Sequence, residues 1–266
     1  LKFSLGKWLL PTYVALAFVF TMIPIAYTFV FSFNKVEKSN IAWKEFTFDN
    51  WLNVCDKQEV CTAFANSVAI AVIATLVSTA LGTAIAIALG RYRFKGRSVT
   101  NLLLFLPMAT PEVVMGAGLA AQFLNVGIGK GFWTIVVAHI MFTLSFVVVT
   151  VKARVATLDP RLEEAGKDLY GSAAAVFWRI TFPLLLPGIM AAAMLSFALS
   201  FDDFIITQFN SGAETTFPKF VYTAAARGIP PQANVIGSAV FLVAIGIVLA
   251  VQIRSTLKAK KLAQLK

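Results

Sequence analysis

Six stretches of the chain are almost continuously apolar, and the polar and charged residues gather in the segments between them. The runs cover residues 8–33, 63–89, 99–126, 132–151, 184–209 and 233–253. Each is about 20–28 residues long, enough to cross ~30 Å of hydrocarbon at 1.5 Å of helix rise per residue. Lipid offers the backbone no water to bond with, so each run reads as an α-helix. The fold expected is an all-α membrane protein with six transmembrane helices, one domain over 1–266. The first run is too long for a secretory signal core, and no small-x-small cleavage site follows it before Asn34, so it counts as a span.

Composition supports this pattern. Of the 266 residues, 58% are hydrophobic and 14% charged, against about 45–50% and 25% in an ordinary soluble domain. A mean hydropathy of +0.78 excludes a disordered chain and a basic nucleic-acid binder, although the net charge is +10. Lys2, Lys7, Arg91, Arg93, Lys95, Arg97, Lys152, Arg154, Arg161, Lys167, Arg179, Arg254, Lys258, Lys260, Lys261 and Lys266 fall on one side of a six-span topology. They are sixteen of the 23 basic residues; Lys35, Lys38, Lys44, Lys57, Lys130, Lys219 and Arg227 fall on the other. The bias predicts both termini in the cytoplasm. The cluster 91-RYRFKGR-97 also suits acidic membrane lipid, with simple topological anchoring as the plainer role.

The two cysteines, Cys55 and Cys61, share the first outer segment. Five intervening residues can close a disulfide in an oxidising compartment, and a bridge and two thiols are equally compatible with the sequence. A metal site is not expected: the only histidine, His139, lies in the fourth run and reads as a packed helix residue. No phosphate-binding G-x-x-x-x-G-K-[ST] loop, H-E-x-x-H or G-x-S-x-G is present, so no catalytic residue and no cofactor is assigned to this chain. The glycine-rich 127-GIGKG-131 reads as a tight turn between spans.

Between the fourth and fifth runs lies the one long segment on the basic side, 152–187. Asp159 before Pro160 reads as a helix N-cap with proline at the first helical position. A short amphipathic helix over about 160–171 follows. Glu164 and Asp168 share one face, and Ala165 and Leu169 another with Leu162 nearby. Such a helix suits docking into a groove, or a solvated connection.

The run 164-EAGKDLYGSAAAVFWRITFP-183 resembles the EAA motif of ABC-importer permeases, E-A-A-x-x-x-G, nine residues, then I-x-L-P. Glu164, Ala165, Ile180 and Pro183 match; Gly166 stands for the second Ala, Tyr170 for Gly and Phe182 for Leu. Gly171, the next residue, is the candidate for the turn. The segments 91-RYRFKGR-97, 144-LSFVVVTVKARV-155, 196-SFALSFDDFIIT-207 and 228-GIPPQAN-234 resemble the second permease of spermidine/putrescine importers. The resemblance implies a type I ABC importer permease fold in a bacterial inner membrane. It implies a second, similar permease, a cytoplasmic ATPase dimer that carries the ATP and Mg, and an external or periplasmic substrate-binding protein. The ATPase-coupling residues would be Leu162, Glu164, Ala165, Gly166, Asp168, Leu169 and Gly171.

Three acids lie within the runs: Glu112 after Pro107 and Pro111, and Asp202 and Asp203 in the fifth. A carboxylate at mid-bilayer costs about 2.5–3.5 kcal/mol and normally marks a pathway or cavity. No Lys or Arg falls inside a run, so no internal ion pair is expected. A polyamine is a flexible polycation with apolar methylene segments. Carboxylates from Asp202, Asp203 and Glu112 can pair its ammonium groups, and Phe201, Phe204 and Phe209 can contact its methylenes or cations. Adjacent helical residues point ~100° apart, so the two aspartates cannot both face a pore equally; the other use of each is to brace a neighbouring helix. Glu112 can instead serve backbone groups freed by the prolines. Trp43, Phe46, Phe48 and Trp51 form an interfacial anchor or a docking surface for the binding protein. A short surface helix broken by glycine and prolines is expected over 217–231. The alternatives in function are an importer for another solute (iron, phosphonate, sugar) and a self-contained ion-coupled carrier using the same acids.

Overall fold

Where Pro111 follows Thr110, the third apolar run leaves helical geometry in the computed structural model. The structure describes residues 5–36, 40–226 and 228–263; Lys2, Lys38, Arg227 and Lys266, used above to orient the chain, lie outside them. Proline disfavours α geometry in the preceding residue, and Thr110 and Pro111 are both extended, with ψ of 133°. The run divides into α4 (Arg97–Ala109) and α5 (Glu112–Asn125), bent by 108°. The single helix expected over 99–126 is therefore a broken span or a re-entrant pair.

The other runs form α1 (Leu5–Phe31), α3 (Gln58–Arg91), α6 (Phe132–Ala156), α9 (Phe182–Asp202) and α12 (Pro231–Ala263). Short helices α2 (Asp49–Leu52), α7 (Arg161–Asp168), α8 (Ala173–Val176), α10 (Ile205–Asn210) and α11 (Phe217–Ala225) lie between them. The expected 184–209 helix is also corrected. Its apolar helix begins earlier, at Ala173, passes through a π-helical turn over Phe177–Thr181 and stops at Asp202. Asp203 adopts ψ of 126°, and residues 205–209 belong to α10. Among the described residues, five helices are long and apolar enough to span a membrane, or six counting the bent pair as one.

Contacts group Leu1–Cys61 with Val221–Lys266, and separately Thr62–Phe220. In the second group, Gly82, Ala86 and Gly90 recur every four residues along α3. A Cβ on Gly82 would lie 2.6 Å from Val147 Cγ1, and one on Gly90 2.5 Å from Val155 Cγ1. Ala86 joins Val151 in the same buried cluster. Small residues at this spacing let membrane helices approach closely, because packing replaces the hydrophobic drive that lipid removes. Leu185, Ile189 and Ala192 bring α9 into that cluster. Hydroxyls of Ser78 and Ser196 pair at 2.9 Å between α3 and α9. At one end, Arg154 Nε and Nη2 donate to the Leu184 carbonyl at 3.0 and 2.8 Å.

In the first group, α1 packs against α12, and an asparagine network closes the end of α1. Asn40 Nδ2 donates to the Phe31 carbonyl at 2.6 Å, and Asn50 Nδ2 to those of Ser32 and Asn34, each at 3.0 Å. These carbonyls lie at and just past the last helical turn, where intrahelical partners run out; that of Phe31 also accepts the Asn34 N–H at 3.3 Å. Phe33 stacks on Phe46 and Trp51 beside this network. Cys55 and Cys61 are joined by a disulfide.

Candidate functional site

Helix α9 ends where the first two of the candidate acids part company. Asp203 turns out of the helix and is 7% exposed, whereas Asp202 stays exposed. Asp203 Oδ1 accepts the Ile206 N–H at 3.2 Å; Oδ2 accepts the Thr207 N–H at 2.8 Å and the Thr207 hydroxyl at 3.0 Å. A carboxylate so placed caps α10. His139 Nε2, from α6, lies 3.2 Å from Oδ2, and Nδ1 lies 2.7 Å from Ser200 Oγ. Nε2 also lies 3.0 Å from Thr207 Oγ1, so each polar side chain of this buried set has a partner.

His139 thus holds α9 through Ser200 before the break and the Asp203 cap after it. It is 1% exposed, the packed residue the sequence suggested, but it also supplies the internal partner for an acid that counting only Lys and Arg had excluded. The signal was present: His139 is the sole other side chain within the runs able to carry a positive charge. Asp203 is buried among these partners, and Asp202 is the exposed acid of the pair.

Glu112 begins α5, exposed in its first turn, where a carboxylate suits the positive end of the helix dipole. One turn on, Gly116 is buried against α10: a Cβ there would lie 3.0 Å from Phe209 Cδ2 and 3.3 Å from Ile206 Cα. Asn210 Nδ2 donates to the Gly116 carbonyl at 3.2 Å. The helix carrying Glu112 therefore packs on the helix that Asp203 caps. Phe201, half-buried, meets Phe64 edge-on and Phe197 in a stack, each at 5.9 Å. The end of α9 thus combines an exposed carboxylate with an aromatic row.

Of the coupling candidates, Leu162, Glu164, Ala165, Gly166 and Asp168 lie in α7, shorter than the 160–171 expected, and Leu169 and Gly171 lie in the turn that ends it. Asp159 Oδ1 accepts the Arg161 N–H at 3.0 Å, a local cap. Glu163 pairs with Arg91 at the end of α3, at 3.1 Å. Leu162, Glu164, Ala165 and Asp168 are exposed, while Gly166 is buried. A Cβ on Gly166 would lie 2.7 Å from Ile180 Cδ1 and 3.1 Å from Val176 Cγ2. That contact gives glycine a steric reason to stand where the motif has Ala.

The helix ends in a Schellman turn. Gly171 N–H donates to the Gly166 carbonyl at 3.1 Å and Tyr170 N–H to the Lys167 carbonyl at 2.9 Å, the six-to-one and five-to-two bonds of that motif. Its left-handed position, normally glycine, is Tyr170, with φ of 59°, the one positive-φ non-glycine among the described residues. This is the position where the motif has Gly, so the left-handed turn is made by Tyr170 and not by Gly171. Gly171 is required for space: a Cβ there would lie 2.5 Å from the Gly166 oxygen. An L-residue with a side chain pays about 1–2 kcal/mol for left-handed geometry.

Residues 78–255 match the family model described as "Binding-protein-dependent transport system inner membrane component". The chain is 32% identical to the spermidine/putrescine transport system permease protein PotC of Haemophilus influenzae over 242 residues, 91% of this chain and 94% of that one. It is 32% identical to the putrescine transport system permease protein PotI of Escherichia coli K12, covering 88% of this chain and 85% of the relative. Among solved structures, a bacterial alginate ABC transporter in complex with an alginate pentasaccharide-bound periplasmic protein superposes with a TM-score of 0.61. It is 15% identical and covers 92% of each chain. That likeness extends the fold, not the cargo.

Proposed function

The chain belongs to the binding-protein-dependent transport system inner membrane components, and from that premise we propose that it is one permease of an ATP-driven polyamine importer. It is a multi-pass protein of the inner membrane. The observation that carries the substrate class is 32% identity, over nine-tenths of the chain, to a spermidine/putrescine permease. With a second permease it forms half of the translocation pathway. ATP and Mg belong to a cytoplasmic ATPase dimer, and an external binding protein delivers the cargo. Both termini and the α7 turn face the cytoplasm, as the distribution of Lys and Arg supports.

Within the pathway, Asp202 and Glu112 give a cation-attracting lining and Phe201 an apolar contact for methylene groups. Asp203 acts at one remove, by fixing the break that presents Asp202. The 161–171 segment couples movement to the ATPase. Uptake of labelled spermidine by cells whose own polyamine importers are deleted tests this reading. The chain, expressed with its ATPase, second permease and binding protein, restores uptake; uptake of a different solute with none of spermidine or putrescine rejects the substrate class.

A further inference from the structure

Leu169 and Tyr170 stand at the tip of the turn that ends α7, 83% and 100% exposed. Exposed large apolar residues are common singly, but this pair has a second peculiarity. Tyr170 holds a left-handed φ of 59°, and its wholly exposed ring returns no burial to the fold that bears this strain. Strain kept without return inside the chain points to a use outside it.

The base under the tip is fixed. Gly166 sits against Val176 and Ile180, Glu163 is paired with Arg91, Asp159 caps the first turn, and two backbone bonds close the last. The tip is therefore presented in one geometry, which lowers the ordering cost of docking. Its surroundings identify the kind of partner. Arg161, Glu164, Lys167 and Asp168 are exposed on the same short helix, charges of both signs that a hydrocarbon layer rejects. The matching surface has an apolar floor and a rim carrying both signs, which is a protein cleft.

We propose that Leu169 and Tyr170 seat together in an apolar pocket of the partner ATPase subunit, and that Tyr170 selects which ATPase this permease accepts. This rests on the reading that the α7 segment couples to an ATPase. A permease with glycine at position 170 makes the same turn without the ring, so its ATPase needs no pocket for one. An ATPase lacking that pocket meets the Tyr170 ring as an obstruction, which makes the residue a discriminator as well as an anchor.

The test turns on a substitution that separates folding from docking. Tyr170→Gly removes the left-handed strain, so a purely structural role for Tyr170 predicts an equal or more stable permease with unchanged docking. The permease pair is placed in lipid nanodiscs, and binding of its purified ATPase partner is measured for the parent, Tyr170→Gly and Leu169→Ser. The proposal expects about tenfold or greater loss of ATPase affinity in both variants, with a melting temperature for Tyr170→Gly no lower than the parent's. It also expects Tyr170→Gly to gain affinity for an ATPase whose own permease has glycine there. Tyr170→Gly binding its ATPase within about twofold of the parent overturns the proposal while leaving the coupling reading intact. A parent that binds no ATPase overturns the coupling reading and the proposal with it.

Discussion

Asp203 lies 3.2 Å from His139 on the inner side of the α9–α10 break, and both are buried. Two adjacent acids in one apolar run therefore have different circumstances. One is surrounded by two backbone N–H groups, a hydroxyl and an imidazole; the other is exposed. The difference follows from a single backbone step, the extended ψ at Asp203, which sends its carboxylate over the start of α10.

Loss of the two acids should accordingly have opposite signatures. Asp203→Ala leaves His139 and the first N–H groups of α10 without their acceptor. It is expected to cost about 3 kcal/mol, read as a lower melting temperature in detergent and reduced yield of folded protein. Asp202→Asn is expected to keep the parent melting temperature while lowering spermidine uptake. Wild-type uptake by Asp202→Asn would remove it from the pathway.

The α3–α6 contact predicts a steric threshold. Gly82→Val is expected to destabilise by about 1–3 kcal/mol through overpacking against Val147. Gly118→Ala, on α5 with nothing within 4 Å of its Cβ position, is expected to be neutral or to gain up to about 1 kcal/mol from helix propensity. Thermal unfolding of the two variants side by side checks the contrast.

At Gly166 the obstructing atom is the far end of Ile180, so relief is available from the other side. Gly166→Ala alone is expected to cost about 1 kcal/mol, and Gly166→Ala with Ile180→Val less than the sum of the single changes. A double-mutant cycle on melting temperature measures that coupling. Strict additivity would mean that Ile180 is not what excludes a side chain at 166.

The disulfide between Cys55 and Cys61 ties the segment before α3 to the first turn of that helix. Replacing both by serine is expected to cost about 2 kcal/mol of local stability, seen as faster hydrogen exchange over 53–62 with spans unaffected. Alkylation before and after reduction gives the complementary check: the parent gains two labels only after reduction.

Much of the fold was legible because spanning helices announce themselves by length and hydropathy. The breaks were harder to see. Pro111 disfavours helical geometry at Thr110, but Pro11, Pro24, Pro107 and Pro187 lie inside helices, and the run stays apolar on both sides, so its periodicity does not record a 108° bend. The end of α9 at Asp202 was hidden in the same way, since Ile205, Ile206 and Phe209 continue the hydrophobic pattern into α10. The candidate acids were found by their cost in lipid, but the cost is equal for Asp202 and Asp203. Only the tertiary placement of His139, 64 residues from Asp203 in sequence, separates them. The left-handed turn at Tyr170 was obscured because glycine stands next to it.

Transport by the assembled complex separates an ATP-driven importer from an ion-coupled carrier. Proteoliposomes carrying this chain with its companion permease and ATPase, supplied with the external binding protein, are assayed for uptake of labelled spermidine. The account predicts uptake that requires ATP and the binding protein and disappears when this chain is omitted. Spermidine uptake by this chain alone, driven by an ion gradient and indifferent to ATP, would contradict it.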